Sequence, residues 1–402
     1  MRIRLAALAT AATLVLTCPP AAASPVSPTS GGWVTTWGTA PAAGLPGTEQ
    51  GHPNTSIRNV VRASVGGSSA RIWLSNAFGT RPVLVGHATL ALAVRANNPD
   101  AVTGSMRGLT FGGAASVTLP VGGRLASDPV PLNVPDQADL LVTVYTPHPS
   151  GPVTYHPDSL QFSFLARGGD HAAQESGTSF SEASNHWQYV DGVDVAGGRA
   201  TRSVVAFGDS ITDGAGSNWN NLRWPDFLAR RLLRAGRPMG VVNTGISGNR
   251  LLRQAEPAYG PSALSRLDRD VLSRSGVRTV VLLEGINDIH MEPPVTNASE
   301  IIGAYRQLVD RAHARGIRVV GGTLIPFKGF WSWTPSAEAT RQAVNRQIRA
   351  GRVFDAVVDF DAVVRDPADP RRMLPAYDCG DHIHPGDKGY EVMGNAVDLK
   401  LL

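Results

Sequence analysis

The chain has 402 residues, which is more than one ordinary domain holds and enough for two. With 42% hydrophobic and 17% charged residues it can bury substantial cores, and this composition excludes an intrinsically disordered protein. A formal net charge of +4 is too small to indicate nucleic acid or an anionic membrane as a partner.

The N-terminus has the composition of a secretory signal peptide. Residues 1–4 are basic, an apolar run follows from Leu5 to Leu16, and Ala21-Ala22-Ala23 offers a small-residue cleavage site. We predict a signal peptide over residues 1–23 with cleavage after Ala23, and hence a secreted, extracellular protein. No other stretch is long and apolar enough to span a bilayer, so we predict no stable membrane anchor.

Only two cysteines are present, and one lies in the predicted signal peptide. A lipoprotein would be modified at Cys18, but Thr17 is bulkier than the small residue expected before a lipid-modified cysteine. Cleavage would remove Cys18 together with Arg2 and Arg4, which lowers the net charge from +4 to +2. Cys379 would then stand alone, so the secreted protein is expected to fold without an internal disulfide.

From about residue 33 to residue 200 the hydrophobic pattern is short, alternating and rich in turns. Ile57–Val65 and Ala70–Ser75, joined through Gly66-Gly67, predict a β-hairpin. Further strands are predicted at Pro82–Val94, Ala115–Leu119 and Leu140–Tyr145. This pattern predicts an all-β accessory domain of the sandwich or jelly-roll type over residues 33–200, after a linker at 24–32.

From Arg202 onwards, apolar runs alternate with amphipathic stretches. The predicted strands are Ser203–Phe207, Gly240–Asn243, Thr279–Leu283, Arg318–Leu324 and Ala356–Phe360. The predicted helices are Pro225–Ala235, Ala298–Arg315, Ser336–Ala350 and Lys388–Leu399. This alternation predicts a doubly wound, five-stranded parallel sheet of flavodoxin-like order over residues 201–402, with its site beyond the carboxyl ends of the strands.

Two distant segments of this second domain carry the parts of a hydrolytic triad. Ser210 stands just past the first predicted strand, where an open α/β sheet presents groups that contact a ligand. Asp381 precedes His384 by three residues near the C-terminus. A serine hydroxyl is a weak nucleophile without a base, so Ser210 alone would suggest no more than a loop with a helix cap.

Four sequence blocks together resemble the SGNH (GDSL) hydrolase superfamily. They are Gly208-Asp209-Ser210, Asn243–Asn249, Gly285–Asp288 and Asp381–Pro385, in this order. The likeness extends to Trp33–Trp37, Leu74–Pro82, Phe207–Gly216 and Gly380–Tyr390, which look like parts of secreted two-domain SGNH hydrolases with an N-terminal β-domain. The resemblance implies ester hydrolysis, although fold and motif do not select among lipases, acyl esterases and carbohydrate deacetylases.

The resemblance also implies residue roles. Ser210 would be the nucleophile, His384 the base and Asp381 the acid that orients it, with His382 and Asp378 as the competing base and acid. The oxyanion donors would be the backbone N–H groups of Ser210 and Gly248 and the side-chain amide of Asn287. The plainer alternatives are a turn glycine at position 248 and a helix cap at Asn287. Gly245 is expected to be a packing residue, and Asp209, Asp213 and Asp288 are expected to shape loops.

Two further expectations concern cofactors and substrate. His382 and His384 could suggest a metal, but no third ligand has matching local spacing, so we predict neither metal nor cofactor. Trp331 and Trp333 follow the fourth predicted strand at the carboxyl edge, where they would line the substrate pocket or pack against the β-domain.

The sequence therefore predicts a serine carboxylester hydrolase that forms an acyl-enzyme with a small-molecule or polymeric ester. A deacetylase of an acetylated polysaccharide is the alternative within the same enzyme class. A non-catalytic carbohydrate- or surface-binding protein is the alternative from another class. Nucleic acid is not an expected partner, and the oligomeric state stays open.

Overall fold

The computed structural model describes residues 32–402. The predicted signal peptide, the predicted cleavage site after Ala23, Cys18 and nearly all of the predicted linker lie outside the described residues. Contacts group Gly32–Leu402 into one compact unit, so the predicted domain boundary near residue 200 stays a prediction. Within this range, no helix has both the length and the apolar character needed to cross a membrane.

The part of the described chain before residue 200 is built from strands and turns. Its strands are β1 Val34–Gly38, β2 Ala43–Gly44, β3 Thr55–Arg62, β4 Gly67–Ser75, β5 Val83–Val85, β6 His87–Leu92, β7 Arg107–Gly108, β8 Val117–Leu119, β9 Arg124–Ala126, β10 Val130–Val134, β11 Asp139–Thr146, β12 Thr154–His156, β13 Ser163–Arg167, β14 Glu182–Ser184, β15 Trp187–Gln188 and β16 Val190–Ala196.

Two antiparallel sheets dominate this region. One has the order β1-β16-β4-β10, with β9 also paired to β4, and the other has the order β14-β13-β3-β11-β6-β7. Ile72 and Leu74 on β4 and Val142 and Val144 on β11 belong to one buried hydrophobic cluster. Because alternate residues of a strand point to one face, this shared cluster makes the two sheets a sandwich, as predicted.

The predicted hairpin between Ile57–Val65 and Ala70–Ser75 is wrong. β3 pairs with β11 and β13, whereas β4 pairs with β16, β10 and β9, so the two strands lie in different sheets. The connection at Ala63–Gly66 crosses from one sheet to the other. An alternating pattern gives both strands a buried face, but it does not distinguish partners in one sheet from strands that face each other across a core.

After residue 200, strands and helices alternate. The strands are β17 Ser203–Gly208, β18 Gly240–Asn243, β19 Val277–Leu283, β20 Arg318–Gly322 and β21 Ala356–Val358. The helices are α1 Ser210–Asp213, α2 Trp224–Arg234, α3 Ala263–Leu267, α4 Ile286–His290, α5 Ala298–His313, α6 Pro335–Arg349, α7 Phe360–Val364 and α8 Asp387–Ala396. Single turns at Pro257–Tyr259 and Leu399–Leu401 are 3₁₀, and Asp268–Leu272 is a π-helical turn.

The five strands form one parallel sheet in the order β18-β17-β19-β20-β21, which is the predicted flavodoxin-like order. Helix α2 buries Trp224, Leu228 and Leu232, which recur every four residues along one face. The fifth strand is shorter than predicted because Phe360 begins α7, for which the side chain of Asp359 accepts a hydrogen bond from the N–H of Ala362. The four longer helices confirm the predicted ones to within a few residues at their ends.

Candidate active site

The carboxyl ends of three neighbouring strands bring the predicted site residues to one edge of the sheet. β17 lies between β18 and β19, with Ala206 opposite Asn243 and Gly208 opposite Leu283. Ser210 follows β17, the loop with Gly248 follows β18, and Asn287 follows β19. This edge is where an open parallel sheet binds its ligands.

Ser210 begins the four-residue helix α1, which is not among the helices predicted from the sequence. Asp209 is the N-cap, and its carboxylate accepts a hydrogen bond from the N–H of Ile211 at 3.0 Å. Gly208 permits a close approach of two strands, because a Cβ there would stand 2.2 Å from the carbonyl oxygen of Leu283. The backbone before the serine is therefore fixed by packing that only glycine allows.

His384 joins Ser210 to Asp381 in a continuous chain of hydrogen bonds. The imidazole Nε2 lies 2.8 Å from the Ser210 Oγ, and Nδ1 lies 2.5 Å from the Asp381 Oδ2. The other carboxylate oxygen of Asp381 accepts the backbone N–H of His384 at 2.9 Å. Since an ionised carboxylate only accepts, Nδ1 carries a proton, which leaves Nε2 of the neutral ring to accept the serine proton.

The electrostatics of this chain favour an ionised Asp381. Partial burial would raise the pKa of the carboxyl, but hydrogen bonds from the side chain and backbone of His384 hold it well below its usual range. Ser210 is 7% exposed, whereas the side chains of His384 and Asp381 are 19% and 41% exposed. Ser210 is thus nearly buried, whereas the Asp381 end of the chain of hydrogen bonds is exposed to solvent.

The competing histidine and acid form a second pair of their own. His382 Nδ1 lies 2.7 Å from the Asp378 Oδ2, and the backbone N–H of His382 donates to the Asp378 Oδ1 at 3.1 Å. The His382 side chain is half exposed, and its ring lies beside Gly329. The alternative residues therefore contact each other and not the serine.

Gly248 occupies a position that a side chain would block. Its φ is +76°, and a Cβ there would lie 2.4 Å from the ring of Tyr259. In the described part of the chain, the backbone N–H groups of Gly248 and Ser210 have no hydrogen-bond acceptor. Both donors are therefore available to a ligand.

Asn287 is the second residue of α4, not its cap, and its amide is fixed by neighbours. Nδ2 donates to the carbonyl of Asn249 at 2.8 Å, and Oδ1 lies 3.0 Å from the His290 Nε2. Burial lowers the pKa of His290 to about 4, so this ring is neutral near pH 7. A neutral ring donates from Nε2 to Asn287 and accepts from the Ser332 hydroxyl at Nδ1, 3.0 Å away. The second N–H of the Asn287 amide stays available.

Arg266 was not predicted and holds two of the motif blocks together. Its fully buried guanidinium donates to the carbonyls of Gly208 and Thr244 at 2.8 and 2.7 Å and to the Asn249 Oδ1 at 2.9 Å. It also lies over the ring of Phe207. Nothing in the sequence near Arg266 distinguishes it from a surface arginine, because its partners are up to 58 residues away.

Of the three aspartates that were expected to shape loops, Asp213 and Asp288 accept hydrogen bonds from loop backbones, whereas Asp209 caps α1. Asp288 accepts from the N–H groups of Leu251 and Leu252 at 2.6 and 3.0 Å, and Asp213 accepts from the N–H of Ser247 at 3.0 Å. The expected packing role of Gly245 agrees with its surroundings, because a Cβ there would lie 2.3 Å from the backbone nitrogen of Asp213.

The two tryptophans after β20 differ in exposure. Trp331 is 86% exposed, whereas Trp333 and Phe330 are partly buried against the hydrophobic cluster of the α/β region. Within the described residues, this loop packs on the α/β region and not on the β-sandwich cluster. Ser332 joins it to the Asn287 amide through His290, so the loop lies next to the predicted oxyanion donors.

Among the described residues, one cluster of potential metal ligands includes Asp381 of the predicted triad. Carboxylate or thiol atoms of Asp378, Cys379 and Asp381 stand within 4.8 Å of one another. Each of the two carboxylates already accepts a hydrogen bond from a histidine ring, and burial raises the pKa of the Cys379 thiol. The expectation that the enzyme works without a metal stays a prediction.

Comparison with known families supports the interpretation of the motif blocks. Residues 206–392 match the model of the GDSL-like lipase/acylhydrolase family. The match spans 187 residues, somewhat less than half of the 402-residue chain. This match supports a hydrolase of the SGNH class, and the α/β region has the five-stranded parallel sheet that the resemblance implied.

Several solved structures are similar to the GDSL-like region. A GDSL-like lipase from Bacteroides thetaiotaomicron is 22% identical, with 50% of this chain and 87% of that chain covered and a TM-score of 0.37. The aryl esterase of M. smegmatis is 18% identical, with 48% of this chain and 95% of that chain covered and a TM-score of 0.40. The acetyl xylan esterase AlAXEase is 20% identical, with 48% of this chain and 96% of that chain covered and a TM-score of 0.37. No curated protein matches this sequence.

Proposed function

We propose that this protein is a serine carboxylester hydrolase in which Ser210, His384 and Asp381 form the catalytic triad. The observation that carries the proposal is the 2.8 Å contact between the His384 Nε2 and the Ser210 Oγ, with Nδ1 of the same ring on Asp381. A ring held in this tautomer removes the proton from the attacking hydroxyl, which is the role of the base in such a triad.

Acylation begins when the Ser210 Oγ attacks the ester carbonyl carbon and its proton passes to the His384 Nε2. The carbonyl oxygen becomes an oxyanion, which the N–H groups of Ser210 and Gly248 and the amide of Asn287 stabilise. The ester C–O bond then breaks, and His384 returns its proton to the departing alcohol. The product of this half-reaction is an acyl group on Ser210.

Deacylation repeats these steps with water. His384 removes a proton from a water molecule, whose oxygen attacks the acyl carbon and forms a second oxyanion in the same hole. The bond to the Ser210 Oγ breaks, the serine recovers its proton from His384, and the carboxylic acid leaves. Asp381 remains ionised throughout and stabilises the charged imidazole.

A short-chain nitrophenyl ester tests the proposal. The wild-type protein should hydrolyse nitrophenyl acetate, and Ser210→Ala should lower kcat by about 10⁴–10⁶-fold, as removal of the nucleophile of a triad does. Ser217→Ala is a matched control, because the Ser217 hydroxyl is also buried but donates only to the carbonyl of Gly214. Equal activity of the wild type and Ser210→Ala would reject the triad.

A second candidate is a deacetylase of an acetylated polysaccharide. The observation that favours it is the exposed Trp331 in the loop beside the site, since an exposed aromatic ring offers an apolar face on which a sugar ring can stack. Initial rates on acetylated xylan, triglycerides, phospholipids and aryl esters would distinguish the two. A preference for acetylated xylan supports the deacetylase, and a preference for aryl or lipid esters supports the general acyl esterase.

Secretion is part of the proposal and depends on the sequence of residues 1–23. A host that cleaves secretory signal peptides should release a protein whose N-terminal sequence begins at Ser24, directly after Ala23. An N-terminus that begins at a lipid-modified Cys18 would support the lipoprotein alternative instead. The expected partner is a small-molecule or polymeric ester, with no nucleic acid and no membrane anchor.

A further inference from the structure

One segment of the β-sandwich region reaches the loops that hold the proposed nucleophile and oxyanion donors. Leu160 lies beside Gly214, the C-cap of α1, and the carbonyl of Ser159 accepts from Arg223 at 2.7 Å. Farther along the chain, Phe162 contacts the ring of Trp219 with centroids 4.8 Å apart. The segment that starts at the end of β12 therefore runs along the chain that follows Ser210.

The strongest contact of this segment is a buried His156–Asp213 pair. His156 Nε2 lies 3.0 Å from the Asp213 Oδ1, and Nδ1 lies 2.8 Å from the carbonyl oxygen of Ala40. A carbonyl and a carboxylate both accept, so both ring nitrogens donate and the imidazole is charged. Burial lowers the pKa of His156, but the Asp213 carboxylate and the two hydrogen bonds outweigh it and leave that pKa raised.

Asp213 transmits this contact to the loop of Gly248. Its Oδ2 accepts from both the backbone N–H and the hydroxyl of Ser247, each at 3.0 Å. Ser247 directly precedes Gly248, so Asp213 holds the peptide unit and the side chain that adjoin the peptide bearing the Gly248 N–H. Asp213 itself is the last residue of α1, the helix that Ser210 begins.

An apolar contact from the β-sandwich region also packs against the loop that contains Gly248. Ala40 and Ala42 of the β-sandwich region form a small buried cluster with Ile246. The Ala40 carbonyl that accepts from His156 thus belongs to a segment that also packs on the oxyanion loop. A polar and an apolar contact act together on Ile246-Ser247.

We propose that His156 is a positioning residue for catalysis, which acts through Asp213 and Ser247 to orient the Gly248 N–H. The proposal rests on the proposed function, because it assigns Gly248 to the oxyanion hole. It gives the β-sandwich region a specific role, since this region supplies a charged buried side chain without which the hole is not preorganised. A donor that points away from the oxyanion stabilises the transition state less, while ground-state binding of the ester changes little.

The same two regions also meet at a polar contact that leaves the catalytic loops untouched. Asp194, fully buried on β16, accepts from the Ser275 hydroxyl at 2.7 Å and from the Arg71 Nε at 3.0 Å. Ser275 lies just before β19, at the amino end of the sheet and opposite the edge that carries Ser210. Asp194→Asn therefore disturbs the interface to a similar degree without contacting the proposed site, and it is the matched control.

The experiment compares His156→Gln, Ser247→Ala and Asp194→Asn with the wild type on nitrophenyl acetate. Active sites are titrated with a fluorophosphonate, and melting temperatures are recorded. His156→Gln should lower kcat per active site by roughly 10- to 100-fold with KM within about threefold, since a misplaced oxyanion donor acts on the transition state. Ser247→Ala, which removes one of two bonds to Asp213 and leaves the buried pair intact, should lower kcat by about 3- to 10-fold.

Three outcomes decide the proposal. It is supported if His156→Gln and Ser247→Ala lower kcat and weaken binding of a phenylboronic acid in parallel, while Asp194→Asn lowers only the melting temperature. It is overturned if His156→Gln melts lower but keeps the wild-type kcat per active site. Should His156→Gln not fold, an unchanged kcat in Ser247→Ala overturns it equally. Ser210→Ala separates this result from a failure of the proposed function, because only that failure leaves Ser210→Ala active.

Discussion

Two histidine–aspartate pairs lie within seven residues of each other and are built in the same way. In His384–Asp381 and in His382–Asp378, Nδ1 of the ring contacts one carboxylate oxygen and the histidine backbone N–H donates to the other. Only the Nε2 of His384 meets the Ser210 hydroxyl. His382 has a φ of +73° and turns its half-exposed ring towards Gly329. The contacts between ring and carboxylate therefore do not distinguish the two histidines, and only the contact of Nε2 with the Ser210 hydroxyl favours His384 as the proposed base.

The largest expected difference in kcat is between variants of the two histidines. His384→Ala should lower kcat by about 10⁴–10⁶-fold, whereas His382→Ala should stay within about tenfold of the wild type, because only His384 removes the serine proton. Steady-state hydrolysis of a nitrophenyl ester measures both. A large loss in His382→Ala with activity retained in His384→Ala would show that the motif has been assigned in the wrong frame.

Variants of the two aspartates should differ in kcat in the same direction, but by a smaller factor. Asp381→Asn should lower kcat by about 10³–10⁴-fold, because an amide no longer enforces the tautomer with the Nδ1 proton. Asp378→Asn should leave kcat within about threefold, because Asp378 contacts the backbone of Gly380 and His382 and has no contact with the Ser210 hydroxyl. Comparable losses in both variants would mean that the two pairs function as one network.

A substitution at Asn287 tests whether its side-chain amide is an oxyanion donor. Asn287→Ala should lower kcat by roughly 10²–10³-fold with little change in KM, because the amide acts chiefly once the oxyanion forms. Asn345→Ala is a useful control, since its buried amide bridges the backbone of Leu324 and stabilises the fold. If Asn287→Ala instead loses stability and keeps kcat, the residue is structural.

The tryptophans extend the comparison to the surface near His382. Trp331→Ala should change the ranking of ester substrates by several-fold and leave the melting temperature nearly unchanged, because its ring is exposed. Trp333→Ala should do the reverse, since its ring packs against the core. Melting curves and a substrate panel measure both effects. A uniform loss of stability with unchanged ranking in Trp331→Ala would exclude a role in substrate contact.

The smallest effect concerns the buried pair His156–Asp213. A histidine whose pKa is raised on folding contributes stability that is complete below about pH 6.5 and is lost as the pH rises through the folded-state pKa. The difference in free energy of unfolding between the wild type and His156→Gln should therefore shrink from pH 5 to pH 9. Asp213 and Asp158 are the charged groups that face this ring.

His52 offers a control of opposite sign for that measurement. Burial, and then the charge of Arg167, lower the pKa of His52, so its neutral form is favoured on folding. The difference between the wild type and His52→Gln should consequently grow with pH. Denaturant unfolding at several pH values measures both variants, and a common trend would contradict the assignment of charge to His156.

The sequence predicted the strands of the parallel sheet better than it predicted the residues that hold the site residues in place. Apolar runs bounded by turns located all five parallel strands, and the four motif blocks located Ser210, Gly248, Asn287 and His384. The strand pairing in the β-sandwich region was not predictable from alternation, as the separate sheets of β3 and β4 show. Helix α1 was also missed, because four residues are too few to display a helical period.

The supporting residues were missed for a different reason. His156, Arg266 and His290 act through partners that only the folded chain brings near, such as Asp213, 57 positions after His156. None has a spacing or composition that marks it in the sequence. A sequence motif contains the groups proposed to perform the reaction. The groups that orient them come from distant parts of the chain and are brought near only by packing in the folded protein.

Labelling with a fluorophosphonate tests the central claim most directly, because the probe reacts with a serine that an adjacent base has activated. Mass spectrometry of the labelled wild-type protein and of His382→Ala should place the adduct on Ser210, at similar rates. In His384→Ala the labelling of Ser210 should be slower by orders of magnitude. An adduct on another residue, or equally fast labelling of Ser210 in His384→Ala, would contradict the assignment of Ser210 and His384 as nucleophile and base.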